Sequence, residues 1–182
     1  FKMRTLEDVL HQDCDTISCV FPGTTLTSTR GFIAFTCKAM LAQLQAYDYE
    51  DLVLDLDAKV GKFKKAWRIA SIGLLVKGKL QRSTLKRDGH GSLRCLSYTT
   101  SFKPLLQALI HEETNDNYMD FFRLFISLIP LVLGISEEHA KKSCVHLHKD
   151  FNDAIEFGRT IVLPSTKPCG FIQFFCLIQA TR

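Results

Sequence analysis

The run LFISLIPLVLGI at residues 124–135 constrains the fold of this chain more than any other feature. It is too apolar to lie in water and well short of the roughly 18–20 residues that span a bilayer. Pro130 and Gly134 interrupt it, and Asp120 and Arg123 precede it. It reads as a buried strand or core segment around which the rest must pack; a short apolar loop dipping into a membrane is the alternative. Partial exposure of residues 120–135 would make Phe121, Phe122 and Phe125 an apolar self-association patch.

The chain has 182 residues, of which 46% are hydrophobic and 23% charged, the composition of one globular domain rather than a disordered segment. Fourteen Phe stand against one Trp and four Tyr. Phe has no polar handle, so most of these rings are expected in the core or in a partner interface.

Residues 1–30 read as an extended entry. A short amphipathic piece at 5–11 is followed by the turn-rich Phe21-Pro22-Gly23 and several Thr and Ser. Residues 31–182 read as a single α+β domain, with a small mixed or antiparallel sheet, packed helices and a C-terminal β-hairpin. The alternation of Ile33, Phe35, Cys37, Ala39 and Leu41 predicts a strand over 32–40, although the Ala and Leu content toward Gln45 also suits a helix. Leu52, Leu56, Val60, Phe63, Trp67, Ala70 and Leu74 recur every three or four residues, which predicts helices over 48–60 and 62–75 separated by Gly61. Gly78 and Asp88-Gly89-His90-Gly91 mark a loop over 79–92. A strand over 93–101 follows, then a short helix over 105–113 opened by Pro104, and a polar loop at 114–117. Ser136-Glu137-Glu138 is a helix-start signal, with the helix expected to end at Gly158. Residues 160–163 and 170–180 read as the two arms of the closing hairpin.

Seven Cys occur with no CxxC pair and no regular framework, so reduced thiols are expected, several of them buried as small apolar groups. Cys144, His146 and His148, with His139 nearby, are metal-ligand types. In a strand the three would share a face; in the helix expected here they do not converge, so no metal site is assigned. No nucleophile elbow, phosphate-binding Gly-rich loop or paired carboxylates point to catalysis, and no cofactor is expected.

Charge placement is the strongest functional signal. Lys59, Lys62, Lys64, Lys65, Arg68, Lys77, Lys79, Arg82, Lys86 and Arg87 fall in one stretch that contains no Asp or Glu. That stretch carries +10 in a chain of net +4, leaving −6 elsewhere. An uncompensated cluster of this kind repels itself and attracts anionic lipid headgroups or nucleic-acid phosphates. The bland alternative is a merely solvated basic face, or one neutralised in three dimensions by the acidic helix start Asp48 to Asp57. Phe63 and Trp67 interleave with the cations but fall on the expected apolar stripe, which makes them core rather than base-stacking residues.

The order of features resembles the matrix protein of rhabdoviruses. The resemblance runs over residues 31–75, where a strand leads to a helix, the Gly61-Lys62-Phe63-Lys64-Lys65 junction and a basic-aromatic second helix. It resumes over 150–180, from Asp150-Phe151-Asn152-Asp153 through Phe157-Gly158 to the last strand. It implies a viral structural protein without a cofactor. Such a protein self-associates as a homo-oligomer, binds anionic membrane and bridges it to the nucleocapsid or ribonucleoprotein during virion assembly and budding. The implied locations are the virion, the host cytoplasm, the inner face of host membranes and the nucleus, with host factors as further partners. Neither a PPxY nor a PTAP motif is present. The competing expectation is an RNA-binding or host-factor-binding regulator with no membrane role; a small enzyme with a Cys nucleophile is the third.

Overall fold

A computed structural model describes residues 6–11, 18–20, 32–46, 52–60, 67–86, 92–149 and 152–169. The elements run α1 (Leu6–Leu10), β1 (Ser18–Val20), β2 (Phe32–Thr36), α2 (Lys38–Gln45), β3 (Leu52–Val60), β4 (Trp67–Lys86), β5 (Ser92–His111), α3 (Asn115–Leu133), α4 (Glu137–Ser143), β6 (Cys144–Lys149), α5 (Asp153–Val162) and β7 (Lys167–Cys169). The strands form a seven-stranded sheet ordered β1-β2-β5-β4-β3-β6-β7. Pairing is antiparallel except between β3 and β6 and between β6 and β7, so the sheet is mixed and the fold is α+β.

The helices expected over 48–60 and 62–75 are strands β3 and β4 where they are described. A spacing of four is common to a helix turn and to two strand repeats, so Leu52 and Leu56 fit both. Leu54 decides between them: Leu52, Leu54 and Leu56 are all buried, and Ala70, Ile72 and Leu74 repeat the pattern next door. Register sets Leu54 opposite Leu74 and Leu56 opposite Ile72, and Ile72 opposite Leu106, so one sheet face becomes continuous core. The strand expected over 32–40 stops at Thr36, and α2 follows.

The loop expected over 79–92 is also corrected. Strand β4 runs through to Lys86, and Gly78 marks a register shift between Lys77 and Leu80 rather than an end, as an isolated Gly in a strand often does. Strand β5 contains the expected strand and replaces the helix expected over 105–113. Pro104 is tolerated because β2 pairs with β5 only from Gln107 to Ile110, which leaves Pro104 without a described neighbour on that side. Gly73 sits opposite Pro104, and a Cβ there would lie 2.1 Å from the Lys103 carbonyl oxygen, so no larger residue fits without backbone movement.

The apolar run is core, but as helix α3. It begins at Asn115, five residues before the 120–135 segment, with Thr114 accepting from the Asn117 N–H at 3.3 Å, which makes a cap of the expected polar loop. Pro130 lies in the last turn, and Gly134 closes the helix at φ 68. Tyr118, Phe121, Phe122, Phe125, Leu128 and Ile129 are fully buried, each such side chain contributing about 1.5–3 kcal/mol of apolar burial. Ser136 caps α4 as expected, accepting from the His139 N–H at 3.1 Å. The single helix expected up to Gly158 is instead α4, strand β6 and α5. Gly158 lies inside α5, not at its end. A Cβ there would come within 3.0 Å of Phe122 and of the Tyr118 backbone, so the glycine permits the close approach of α5 to α3.

Residues 160–162 belong to α5, so the first arm of the expected closing hairpin is absent; 170–180 lie outside the described residues. Within 1–30, Val9 of α1 is fully buried in the common core and β1 pairs with β2.

Candidate functional site

Strands β4 and β5 pair along their whole length, each 20 residues long. Their neighbours do not follow. Strand β3 pairs with β4 only from Arg68 to Leu74, and β2 with β5 only from Gln107 to Ile110. From the Leu75–Phe102 pair onward, no described strand flanks the hairpin on either edge. A strand rises about 3.3 Å per residue, so this two-stranded ribbon runs roughly 35 Å from Leu75 to Lys86. Two-stranded hairpins are marginal on their own. This one is anchored by continuity with the sheet.

The ribbon carries much of the basic stretch. Lys77, Lys79, Arg82 and Lys86 lie on its β4 strand. Arg94 lies on its β5 strand, opposite Thr84, and escaped the sequence reading because it falls beyond Arg87. The signal was present: between Asp57 and Glu112 the only acidic residue is Asp88. The acidic residues of β3 do not neutralise the ribbon through register, since Asp55 pairs with Gly73 and Asp57 with Ser71, both short of Lys77.

The other basic residues separate from this group. Lys59 is on β3 opposite Ile69. Arg68 is engaged at the hairpin base, with Nε 3.5 Å from Glu113 Oε2. Glu113 also accepts from the Tyr118 hydroxyl at 2.9 Å and from Asn152 Nδ2 at 3.1 Å, tying β4, α3 and the start of α5 together. A part-exposed pair of this kind is worth about 0–1 kcal/mol. Arg68 is thus a structural residue, not an uncompensated cation. Lys62, Lys64, Lys65 and Arg87 lie outside the described residues, as does His90.

Phe121, Phe122 and Phe125 are corrected as a contact patch: all three are fully buried in the core. The exposed large apolar side chains among the described residues are Ile33, Phe157 and Ile161.

Cys144, His146 and His148 do fall on a strand, but a register shift between Leu52 and Val53 breaks their alternation. Cys144 is buried in the core, and burial pushes its thiol up to about 12, which makes it a poor nucleophile. His148 instead meets Asp55, Nδ1 to Oδ1 at 2.7 Å. No group of three or more His, Cys, Asp or Glu among the described residues is placed to hold a metal ion. Cys37 and Cys144 are both buried. Among the described residues no single helix is long and apolar enough to cross a membrane.

Beneath α5, Arg159 is buried and donates to the Thr166 carbonyl and, through Nε, to both oxygens of Glu156 at 3.2 and 3.1 Å. That hydrogen bonding, joined by Lys149 and opposed by partial burial, lowers the Glu156 carboxyl to about 2. The cluster fixes the end of α5 and offers no free reactive group.

No protein-family model, curated protein or solved structure matches this chain. Two of the elements behind the rhabdovirus resemblance differ from their expected type: residues 67–75 form a strand, and 160–162 belong to a helix.

Proposed function

We propose that this chain is a polyanion-binding structural protein of the matrix type, not an enzyme, which self-associates and bridges an anionic membrane and a ribonucleoprotein during virion assembly. The observation that carries the polyanion part is the acid-free β4–β5 ribbon. It extends past the last flanking strands among the described residues and bears Lys77, Lys79, Arg82, Lys86 and Arg94. A fold does not gain stability by extending a hairpin whose cations repel each other, so the ribbon makes sense as a contact element. The membrane, self-association and virion parts rest on the resemblance in feature order.

The test is binding by the wild-type chain to vesicles containing phosphatidylserine and to a labelled RNA, at several salt concentrations. Affinity for at least one is expected, falling as salt rises. Absence of both at physiological salt sinks the proposal. RNA binding without vesicle binding favours the second reading, an RNA-binding regulator, for which the narrowness of the ribbon speaks.

A further inference from the structure

The sheet has a second face, which the described helices leave open. Val9, Leu41, Phe121 and Ile155 of the helices share one core cluster with Leu54, Ile72 and Ala108 of the strands, so the described helices pack on the face those strand residues occupy. Alternation sends the next residue of each strand to the other face. There Ile33 stands opposite Leu109 and Leu109 opposite Ile69, so one apolar row crosses β2, β5 and β4. Trp67 at one end of the row and the Leu75–Phe102 pair at the other extend it along the strands. None of these six side chains belongs to the core cluster, and each keeps part of its surface exposed, Ile33 by 37%. The strands carry the same message in their sequence. Residues 69–76 of β4 read IASIGLLV and 105–110 of β5 read LLQALI, near-continuous apolar runs of the kind found in strands covered on both faces.

We propose that a second copy of the chain packs on this face, sheet against sheet, across a two-fold axis. The inference rests on the self-association part of the proposed function and gives it a surface in place of Phe121, Phe122 and Phe125. Strands β2, β5, β4 and β3 lie about 4.8 Å apart and Trp67 to Leu75 spans roughly 26 Å, so the face covers about 500 Å². A monomer rarely leaves an apolar patch of that size in water, and two copies together bury about 1,000 Å², the size at which a specific interface begins. The polar groups of the face are satisfied within it. Gln107 Nε2 donates to Ser71 Oγ at 3.1 Å, and Asp55 Oδ1 lies 2.7 Å from His148 Nδ1 at the β3–β6 border. A copy of the same face therefore brings no unpaired Asp55 against its twin, and a strongly charged partner finds little to pair with. Sheets stack face to face about 10 Å apart with strands within about 30° of each other, a geometry that a two-fold axis generates from one surface.

The test is sedimentation equilibrium of the full chain over a dilution series, with the emission of Trp67, the one Trp of the chain, followed over the same series. A dimer is expected, and Trp67 emission should move to the red as it dissociates, because the indole passes from the interface to water. Ile33→Glu and Ile69→Thr are each expected to weaken dimerisation by roughly tenfold or more. Ile161→Glu, at an exposed apolar residue of α5, should leave it unchanged. The wild-type Trp67 signal reads the face even if a sheet variant folds poorly. A dimer that dissociates with no change in Trp67 emission, that survives both sheet variants, or that is lost with Ile161→Glu would overturn the assignment while leaving self-association standing. A wild-type chain that stays monomeric at every concentration removes the self-association reading itself, and a blue Trp67 emission in that monomer would place the cover of the face within the chain.

Discussion

Strands β4 and β5 are two regions joined end to end. Their proximal halves, Trp67 to Leu75 against Phe102 to His111, are flanked by β3 and β2 and contribute Ala70, Ile72, Leu74, Leu106, Ala108 and Ile110 to the core. Their distal halves, from Val76 to Lys86 and from Ser92 to Ser101, have no described flanking strand and carry the cations. The same pairing thus continues past the last described flanking strands. The proximal half is held by burial. The distal half is described by its pairing, and contact is the role proposed for its cations.

That contrast can be broken first in the core. Phe122→Ala is expected to cost about 3–5 kcal/mol in denaturant unfolding, because the ring is fully buried against α5. Ser83→Ala in the ribbon should change stability by less than about 0.5 kcal/mol; comparable losses at the two sites would erase the distinction. A smaller core effect is expected at Gly158→Ala, about 1–3 kcal/mol, since its Cβ would press on the Tyr118 backbone. Ser136→Ala should cost about 1 kcal/mol through the lost α4 cap.

A pH titration sharpens the comparison further. The Glu156 carboxyl is lowered from 4.5 to about 2 by its hydrogen bond from Arg159. Its contribution is therefore fully present above about 4.5 and is lost as pH falls toward about 2. Thermal unfolding followed across that window should show a stability loss that Glu156→Gln reduces; an unchanged pH profile in that variant would remove Glu156 from the account. Ribbon variants should leave the same profile unaltered.

The sequence made parts of this division legible and hid others. The α+β class, the strand at 93–101, the Ser136 cap and the central place of the 120–135 segment follow from local residue chemistry. The long hairpin does not, because Leu52, Leu56, Ala70 and Leu74 satisfy a helical period as well as a strand period. Pro104 and Gly78, which locally signal a break, sit at an unflanked position and at a bulge. The site was half legible: the missing acids gave the cations away, but pairing Thr84 with Arg94 needs a register that no single-strand pattern contains. The opposite error came at Phe121, Phe122 and Phe125, where apolar character implied contact and the helix turned all three inward.

The central claim is that the distal ribbon serves binding and not folding. Its most direct test is one full-length variant with Lys77, Lys79, Arg82, Lys86 and Arg94 all changed to Gln, measured for thermal unfolding and for salt-dependent polyanion binding in parallel. The account predicts an unfolding midpoint within a few degrees of wild type and loss of most polyanion affinity. Polyanion affinity that survives in a well-folded variant would contradict it.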